Sequence, residues 1–238
     1  MPALAALALL ATASAPQETV TFRFNPPLDR VLEFVVALQG ERLDGTSLLN
    51  VRVVVAQRAK AQGANFRLSR YVSFASGEGS GPLGSGAKEF AALNGRTFPL
   101  LVSPEGKKLP LKRGKYENDP RLVPTFNFGQ PGPFTVGQEV AIPNGDLGPA
   151  GRATLREVRT IGDQRAAIFA FTGTPDGNVE ASSGTMVISA NDGMVLLVDL
   201  NGRTRATKAD PAARLHLRIQ RQNVPGLDRL VADLQIED

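Results

Sequence analysis

The sequence predicts a mainly β protein built from short antiparallel strands, and three observations support this fold class. Apolar and polar residues alternate along many segments, which is the period of a half-buried strand. Glycine (24) and proline (17) are frequent among the 238 residues, as expected when many turns join short strands. The chain is 42% hydrophobic and 21% charged, so it can bury a large core and does not have a disordered composition.

The first fifteen residues, MPALAALALLATASA, resemble a secretory signal. The apolar run is too short to span a membrane, and cleavage sites of the A-x-A type end at Ala13 and Ala15. No Lys or Arg precedes the run, unlike in a usual signal; the alternative is an apolar N-terminus of a cytosolic protein. We expect residues 1–15 to be a signal peptide, residues 16–238 to form one domain, and the protein to be periplasmic or secreted.

Charge and cysteine content exclude several classes of protein. The chain has no cysteine, which excludes disulfides, thiolate metal sites and an acylated lipoprotein. The net charge is +4 and is spread along the chain. This modest excess weakly favours contact with anionic membrane surfaces or polyanions and lacks the clustered basic footprint of a nucleic-acid-binding protein.

Four strands are predicted in the N-terminal part of the chain. In the first, Val20, Phe22 and Phe24 share one face, and Pro26 follows the run. The fourth alternates as far as Phe74 with one slip that indicates a β-bulge. The predicted strands cover residues 19–25, 31–38, 48–57 and 65–74.

A glycine-rich stretch, GEGSGPLGSG at 77–86, contains a formal G-x-G-x-x-G. A dinucleotide site needs a buried parallel strand and a helix that directs its dipole at a pyrophosphate. The helix predicted at 85–93, which ends at Asn94-Gly95, has barely two turns. Glu105 has the spacing of a ribose-binding acid but lies in a Pro-Glu-Gly turn. We therefore interpret the stretch as a flexible loop and expect no nucleotide and no cofactor.

The rest of the chain predicts a hairpin, a long connection and six further strands. The hairpin covers residues 97–111 with its turn at Pro104-Glu105-Gly106, and the proline-rich connection 114–135 holds Phe126, Phe128 and Phe134 against the body. Asn191-Asp192-Gly193 is a strong hairpin signal. The hairpin sequences LLVSPEGKKLPL and MVISANDGMVLLV resemble each other, through an old duplication or by chance. The six strands are predicted at 152–161, 164–173, 178–190, 194–200, 212–221 and 229–237.

No catalytic or metal-binding residue is predicted. The single histidine, His216, falls on the polar face of a strand with Arg214 and Arg218, and without cysteine it cannot form a histidine-based zinc cluster. Six carboxylates occupy turn positions, where turn chemistry explains them. They are Asp44, Glu105, Asp146, Asp163, Asp176 and Asp192.

Basic residues recur on several predicted strands. They form either a basic face for an anionic lipid or polymer, or the solvated outer side of a sheet. They are Arg152, Arg156, Arg159, Arg203, Arg205, Lys208, Arg214 and Arg218.

The order of these segments is similar to that of a known class of protein. FPLLVSPEGKKL precedes a proline-rich connection, FTVGQEV and ATLREVRTIGDQRAAIFAF follow, and GTMVISANDGMV comes next. This order resembles bacterial envelope proteins of unknown function whose half-barrel fold is like that of the outer-membrane lipoprotein carrier. In the carrier, a curved antiparallel sheet wraps helices around an apolar cavity for acyl chains. The present sequence departs from it in showing one convincing helix.

The resemblance implies a curved antiparallel sheet or half-barrel with one short helix on its concave side. We expect an exported, non-enzymatic protein that binds a lipid, acyl chain or hydrophobic segment in the concave face, with a lipid or lipoprotein as partner. The alternative is a structural or interaction module of the cell envelope with a closed core, and a carboxylate-dependent hydrolase is less favoured. The expected ligand-binding residues are Phe66, Phe90, Leu93, Phe169 and Phe171.

Overall fold

The computed structural model describes residues 18–111, 122–125, 132–143, 150–175, 177, 179–206 and 212–236. The predicted signal peptide, most of the proline-rich connection, Phe126, Phe128, Asp146, Asp176 and Lys208 lie outside these ranges. Within the described residues, neither helix is long and apolar enough to cross a membrane.

Eleven strands form one large, curved antiparallel sheet that does not close into a barrel. The predicted fold class is therefore confirmed. A separate two-stranded sheet pairs β1 (Thr19–Val20) with β7 (Phe134–Thr135). The strands of the large sheet are β2 (Val31–Arg42), β3 (Ser47–Gln62), β4 (Asn65–Gly79), β5 (Thr97–Val102), β6 (Lys108–Leu109), β8 (Glu139–Ile142), β9 (Gly151–Ile161), β10 (Gln164–Gly173), β11 (Val179–Ser189), β12 (Val195–Thr204) and β13 (Ala213–Arg221).

The strand order of the large sheet is β6-β5-β4-β3-β2-β13-β12-β11-β10-β9-β8. Strands β2 to β6 therefore form one meander, and strands β8 to β13 form a second. The two meanders join where β2 pairs with β13, for example through Val36 and Ile219. Pairing of the first long strand with the last one places both meanders in a single continuous sheet.

Both faces of this sheet bury apolar side chains. On the concave face, one core cluster extends from Val102 on β5 to Ile142 on β8, so side chains from both ends of the sheet converge. On the convex face, a smaller cluster includes Ile168, Val187 and Leu196. Strand β10 is buried on both faces through Ile168 and its neighbours, which explains its nearly continuous apolar sequence.

Two helices of the described residues lie on the sheet, one on each face. Helix α1 (Gly81–Ala91) lies on the concave face, where Ala87 is fully buried. Helix α2 (Leu227–Ile236) lies on the convex face and buries Leu227 and Leu230 against β9 to β12. The prediction of a strand at 229–237 was wrong. The chain here follows a helical period, with Leu227 and Leu230 one turn apart on the buried side.

The glycine-rich stretch belongs to regular structure, so the prediction of a flexible loop was also wrong. Strand β4 continues to Gly79, and α1 begins two residues later, at Gly81. A Cβ atom at Gly77 would overlap the carbonyl group of Ala87. The absence of a side chain at Gly77 therefore lets α1 lie directly on the backbone of β4.

Glycines also lie in register across the sheet. One row of paired residues that runs across the sheet from β4 to β9 contains five glycines, with Leu49, Leu215 and Ser182 between them. Glycine within strands permits the sharp bending that a strongly curved sheet needs. The glycines of this row are Gly79, Gly40, Gly202, Gly173 and Gly151.

The predicted β-bulge is confirmed in β4. The β3–β4 register shifts between Val54 and Val55, which pair with Phe74 and Val72, so that Ser73 is the extra residue. Because one added residue reverses the alternation of faces, Val72 is fully buried in the concave core whereas Phe74 is exposed on the convex face.

Candidate functional site

Residues 18–25, here called the N-terminal segment, lie on the concave face of the sheet. Val20, Phe22 and Phe24 are all buried in the concave core cluster. The predicted alternation of these side chains is confirmed, but only Thr19 and Val20 pair as a strand, and they pair with β7 rather than with the large sheet. The segment is thus a layer above the sheet and not one of its strands.

The aromatic side chains of this segment stack on those of the sheet. The Phe22 ring lies 6.0 Å from the Phe169 ring and 5.7 Å from the Phe134 ring, centroid to centroid. The Phe24 ring meets the Phe66 ring edge-on, with centroids 5.8 Å apart. These distances are within the range of favourable aromatic pairs.

The structure places all five predicted ligand-binding residues in or against the concave core. Phe169 and Phe171 are fully buried, at 0% and 2% exposure. Phe66, Phe90 and Leu93 are partly buried and pack against the same cluster. Phe24 and Phe22 of the N-terminal segment pack against Phe66 and Phe169, respectively.

The two hairpins with similar sequences hold the N-terminal segment. In the first hairpin, the Pro104 carbonyl accepts a 2.7 Å hydrogen bond from the backbone N–H of Phe24. In the second, the Asp192 carbonyl accepts a 2.9 Å bond from Asn25. At the other end of the segment, the Arg165 guanidinium donates to the Thr19 carbonyl at 2.9 Å. These contacts supply hydrogen-bond partners for backbone groups of the segment that do not pair with the large sheet.

A buried ion pair lies at the hairpin that binds Asn25. The Arg221 guanidinium donates to the Asp192 carboxylate at 2.7 Å, with both side chains nearly inaccessible. The other oxygen of Asp192 accepts the N–H of Met194 at 3.0 Å. Asp192 therefore does more than form the predicted turn: it neutralises a buried cation and fixes the hairpin beneath the N-terminal segment.

A second buried cation, Arg70, was not recognised in the sequence. Arg70 is 2% exposed and lies on the concave face of β4 between Leu68 and Val72. Its Nε donates to Gln57 Oε1 at 2.9 Å, and Gln57 is equally buried on β3. The sequence period could have indicated this burial, because Arg70 falls at an inward position in a strand whose other inward residues are apolar.

A polar cleft of about 450 Å³ opens beside Arg30, Gln164, Arg221 and Asn223. Its buried polar groups already have partners within the chain. Arg221 binds Asp192, and Gln164 accepts a 2.8 Å hydrogen bond from the Ser189 hydroxyl. The buried polar residues of the cleft therefore have structural roles.

His216 lies on the convex face, as predicted from the strand period. Its Nε2 is 2.7 Å from Asp199 Oδ1, and Arg218 is 3.9 Å from the other oxygen of the same carboxylate. The hydrogen bond to Asp199 raises the pKa of His216 above its ordinary value, against the opposing effect of burial. Within the described residues, no group of three His, Asp or Glu side chains could hold a metal ion.

The predicted basic residues do not form a single uncompensated face. Several of them are paired with carboxylates on the surface, where such pairs contribute little to stability. The pairs are Arg152–Glu139, Arg159–Glu157, Arg203–Glu180, Arg205–Glu180 and Arg218–Asp199.

In comparisons with known proteins, the chain matches no protein-family model, no curated protein and no solved structure.

Proposed function

We propose that this chain is an exported, non-enzymatic interaction module of the cell envelope whose half-barrel is filled by its own N-terminal segment. One observation carries the proposal: Val20, Phe22 and Phe24 occupy the concave face where the sequence predicted an external ligand. A groove that its own chain fills has no need of a lipid to cover its apolar surface. The proposal adopts the closed-core alternative of the sequence analysis.

The contacts of the N-terminal segment support a permanent structural role. Phe22 is in contact with Phe169 and Phe134, and backbone hydrogen bonds from Phe24 and Asn25 attach the segment to two separate hairpins. Burial of each large aromatic side chain stabilises the folded state by about 1.5–3 kcal/mol relative to exposure. Release of the segment would therefore expose apolar surface on both the segment and the sheet.

A second function, the carriage of an apolar ligand, is favoured by one region of the same face. Phe90 and Leu93 near the end of α1 are only partly buried, as are Leu38 and Leu217, which are paired across β2 and β13. An acyl chain bound beside α1 would cover these four side chains and would leave the N-terminal segment in place.

Native mass spectrometry distinguishes the two functions. The full chain is secreted from a bacterial host, purified without detergent, and measured before and after incubation with liposomes. The closed module predicts the mass of the polypeptide alone in both samples. A carrier predicts a discrete added mass that fragments as a phospholipid or fatty acid.

Two variants at one position complete the test. Phe90→Arg places a charge beside α1, and Phe90→Leu keeps an apolar side chain as the matched control. Retention of lipid by the wild type and Phe90→Leu, with loss in a folded Phe90→Arg, would refute the closed module and locate the carrier site. Absence of lipid from all three proteins supports the closed module.

A further inference from the structure

The convex face of β3 and β4 carries an exposed apolar window. Tyr71 and Phe74 are 46% and 47% exposed, and they pair across the strands with Ala56 and Val54, respectively. Val31 on the adjacent strand β2 is 55% exposed on the same face. Tyr71 and Phe74, two of the five exposed large apolar side chains of the described residues, form this window, and Val31 lies at its border, opposite Arg58.

The β-bulge at Ser73 creates this window. Strict alternation from Val72 would direct Phe74 into the concave core, and the extra residue instead brings it to the outside, next to Tyr71. The chain thereby exposes a large aromatic ring that the uninterrupted period would have buried. Solvent exposure of such rings in a cluster is typical of an interaction surface.

Cations flank the window along both strand directions. Arg52 lies two residues before Val54 on β3, and Arg58 lies two residues after Ala56, so each occupies the next position on the convex face. The aromatic–basic patch, as we name this surface, comprises Val54, Ala56, Tyr71 and Phe74 with Arg52, Arg58, Lys60 and Arg67.

Cations outnumber carboxylates in and around the patch. Between described residues, none of the four forms an ion pair, in contrast to the arginines of β9 and β12. Lys60 and Arg67 are directly opposite each other across the β3–β4 ladder, an arrangement of like charges that destabilises a sheet. Two carboxylates lie on the same face at the border of the patch: Glu33, opposite Ala56, and Glu78, opposite Asn50. The four cations of the patch outnumber them, so the surface is complementary to an array of anions.

We propose that the aromatic–basic patch binds the surface of an anionic phospholipid bilayer. Tyr71 and Phe74 enter the interfacial region, where aromatic rings are favoured. Arg52, Arg58 and Arg67 contact the surrounding phosphate groups. A bilayer supplies both components that the patch needs, an apolar layer beneath and anions around it, whereas a free polyanion supplies only the second.

The inference rests on the proposed function in one respect: it identifies the partner of the interaction module. It depends on the convex face only, so the outcome of mass spectrometry on the concave face does not determine it. Lipid retained in mass spectrometry would refute the closed module and would not affect the proposal of bilayer binding. Failure to bind vesicles would refute the bilayer as the partner and would not affect the closed-module proposal.

Flotation of the full chain with vesicles tests the proposal. One vesicle preparation mixes phosphatidylglycerol with phosphatidylcholine, the other is phosphatidylcholine alone, and the salt concentration is about 0.1 M, where surface charges still act over about 10 Å. We expect binding to the anionic vesicles only. Arg58→Gln with Arg67→Gln should lower the partition coefficient about 25-fold, because each cation contributes about fivefold near an anionic surface.

The aromatic residues are tested in a second double variant, Tyr71→Thr with Phe74→Thr, which removes both rings and places strand-favouring, β-branched residues at these positions. We expect a loss of at least about tenfold in binding. Leu43→Thr and Arg214→Gln, at an exposed apolar and an exposed basic position outside the patch, are the controls and should bind as the wild type does. Thermal unfolding confirms that each variant is folded.

Two kinds of result would overturn the proposal. The first is equal binding to both vesicle preparations, or none to either. The second is anionic binding that either folded double variant leaves unchanged. Binding of polyglutamate through the same residues, without binding to vesicles, would assign the patch to an acidic protein partner instead.

Discussion

Asp192 and Arg221 form an ion pair 2.7 Å long between the turn after β11 and the end of β13, with side chains 9% and 4% exposed. The Asp192 carbonyl also holds Asn25 of the N-terminal segment. One residue therefore joins the buried charge of the sheet to the segment that fills the half-barrel.

Asp192→Asn should destabilise the protein by about 3–5 kcal/mol, because Arg221 would remain buried without a counter-charge. Urea unfolding measures the change. Glu139→Gln breaks the exposed pair with Arg152 and should cost at most about 1 kcal/mol. A similar, small loss of unfolding free energy in both variants would show that the buried Asp192–Arg221 pair does not stabilise the fold.

Phe22→Ala should lower the free energy of unfolding by about 3–5 kcal/mol, since it leaves a cavity between Phe134 and Phe169. Phe74→Ala removes an equally large side chain from an exposed position and should cost less than about 1 kcal/mol. Chemical denaturation of the two variants side by side makes the comparison. A loss at Phe22 no larger than that at Phe74 would mean that the N-terminal segment adds little to the core.

Gly77→Ala should destabilise the protein by about 1–3 kcal/mol, because its Cβ would force α1 away from β4. Gly86→Ala is the matched change within α1. No atom lies within 4 Å of a Cβ at Gly86, so the higher helix propensity of alanine should stabilise the protein by up to about 1 kcal/mol. The midpoint of thermal unfolding should therefore fall in Gly77→Ala and rise in Gly86→Ala. A higher midpoint in Gly77→Ala would contradict the close contact between α1 and β4.

The raised pKa of His216 predicts a pH dependence of stability. Because the folded state binds this proton more tightly than the unfolded state, the stabilisation is fully present below about pH 6.5, the ordinary pKa of histidine. It is lost as the pH rises through the higher pKa of the folded state. NMR titration of the single imidazole gives that pKa directly.

Asp199→Asn is the companion variant for this titration. It removes the negative charge that stabilises the protonated ring, so the pKa of His216 should fall back towards its ordinary value. An unchanged pKa in Asp199→Asn would show that the hydrogen bond to Asp199 is not the cause of the shift.

The strands could be predicted because their signal is local. Runs rich in β-branched residues identified β2 and β3, though both strands extend further than predicted, and β9 and β10 were placed closely. Asn191-Asp192-Gly193 identified the turn between β11 and β12. The β-bulge was visible as a slip in the same period. In each case, neighbouring residues determine which face a side chain occupies.

The errors occurred where distant contacts determine the structure. The run that begins at Leu227 fits both strand and helix periods, and the helix is stabilised by burial of Leu227 and Leu230 on a sheet formed elsewhere in the chain. The stretch around Gly77 resembles a loop until α1 is known to lie on it. The alternation of Val20, Phe22 and Phe24 showed one buried face without showing what would cover it.

The order of the strands has a consequence for the way this chain folds. In the large sheet, every ladder except the one between β2 and β13 joins strands that follow each other in the chain. Each meander can therefore assemble from strands that are close in the sequence, with α1 in the connection between β4 and β5, at a small entropic cost. Pairing of β2 with β13 must instead bring together residues from opposite ends of the sequence, the kind of contact that slows folding. This central seam is where we expect the two halves to meet late on the folding pathway, and the N-terminal segment can occupy the groove only once both halves are in place.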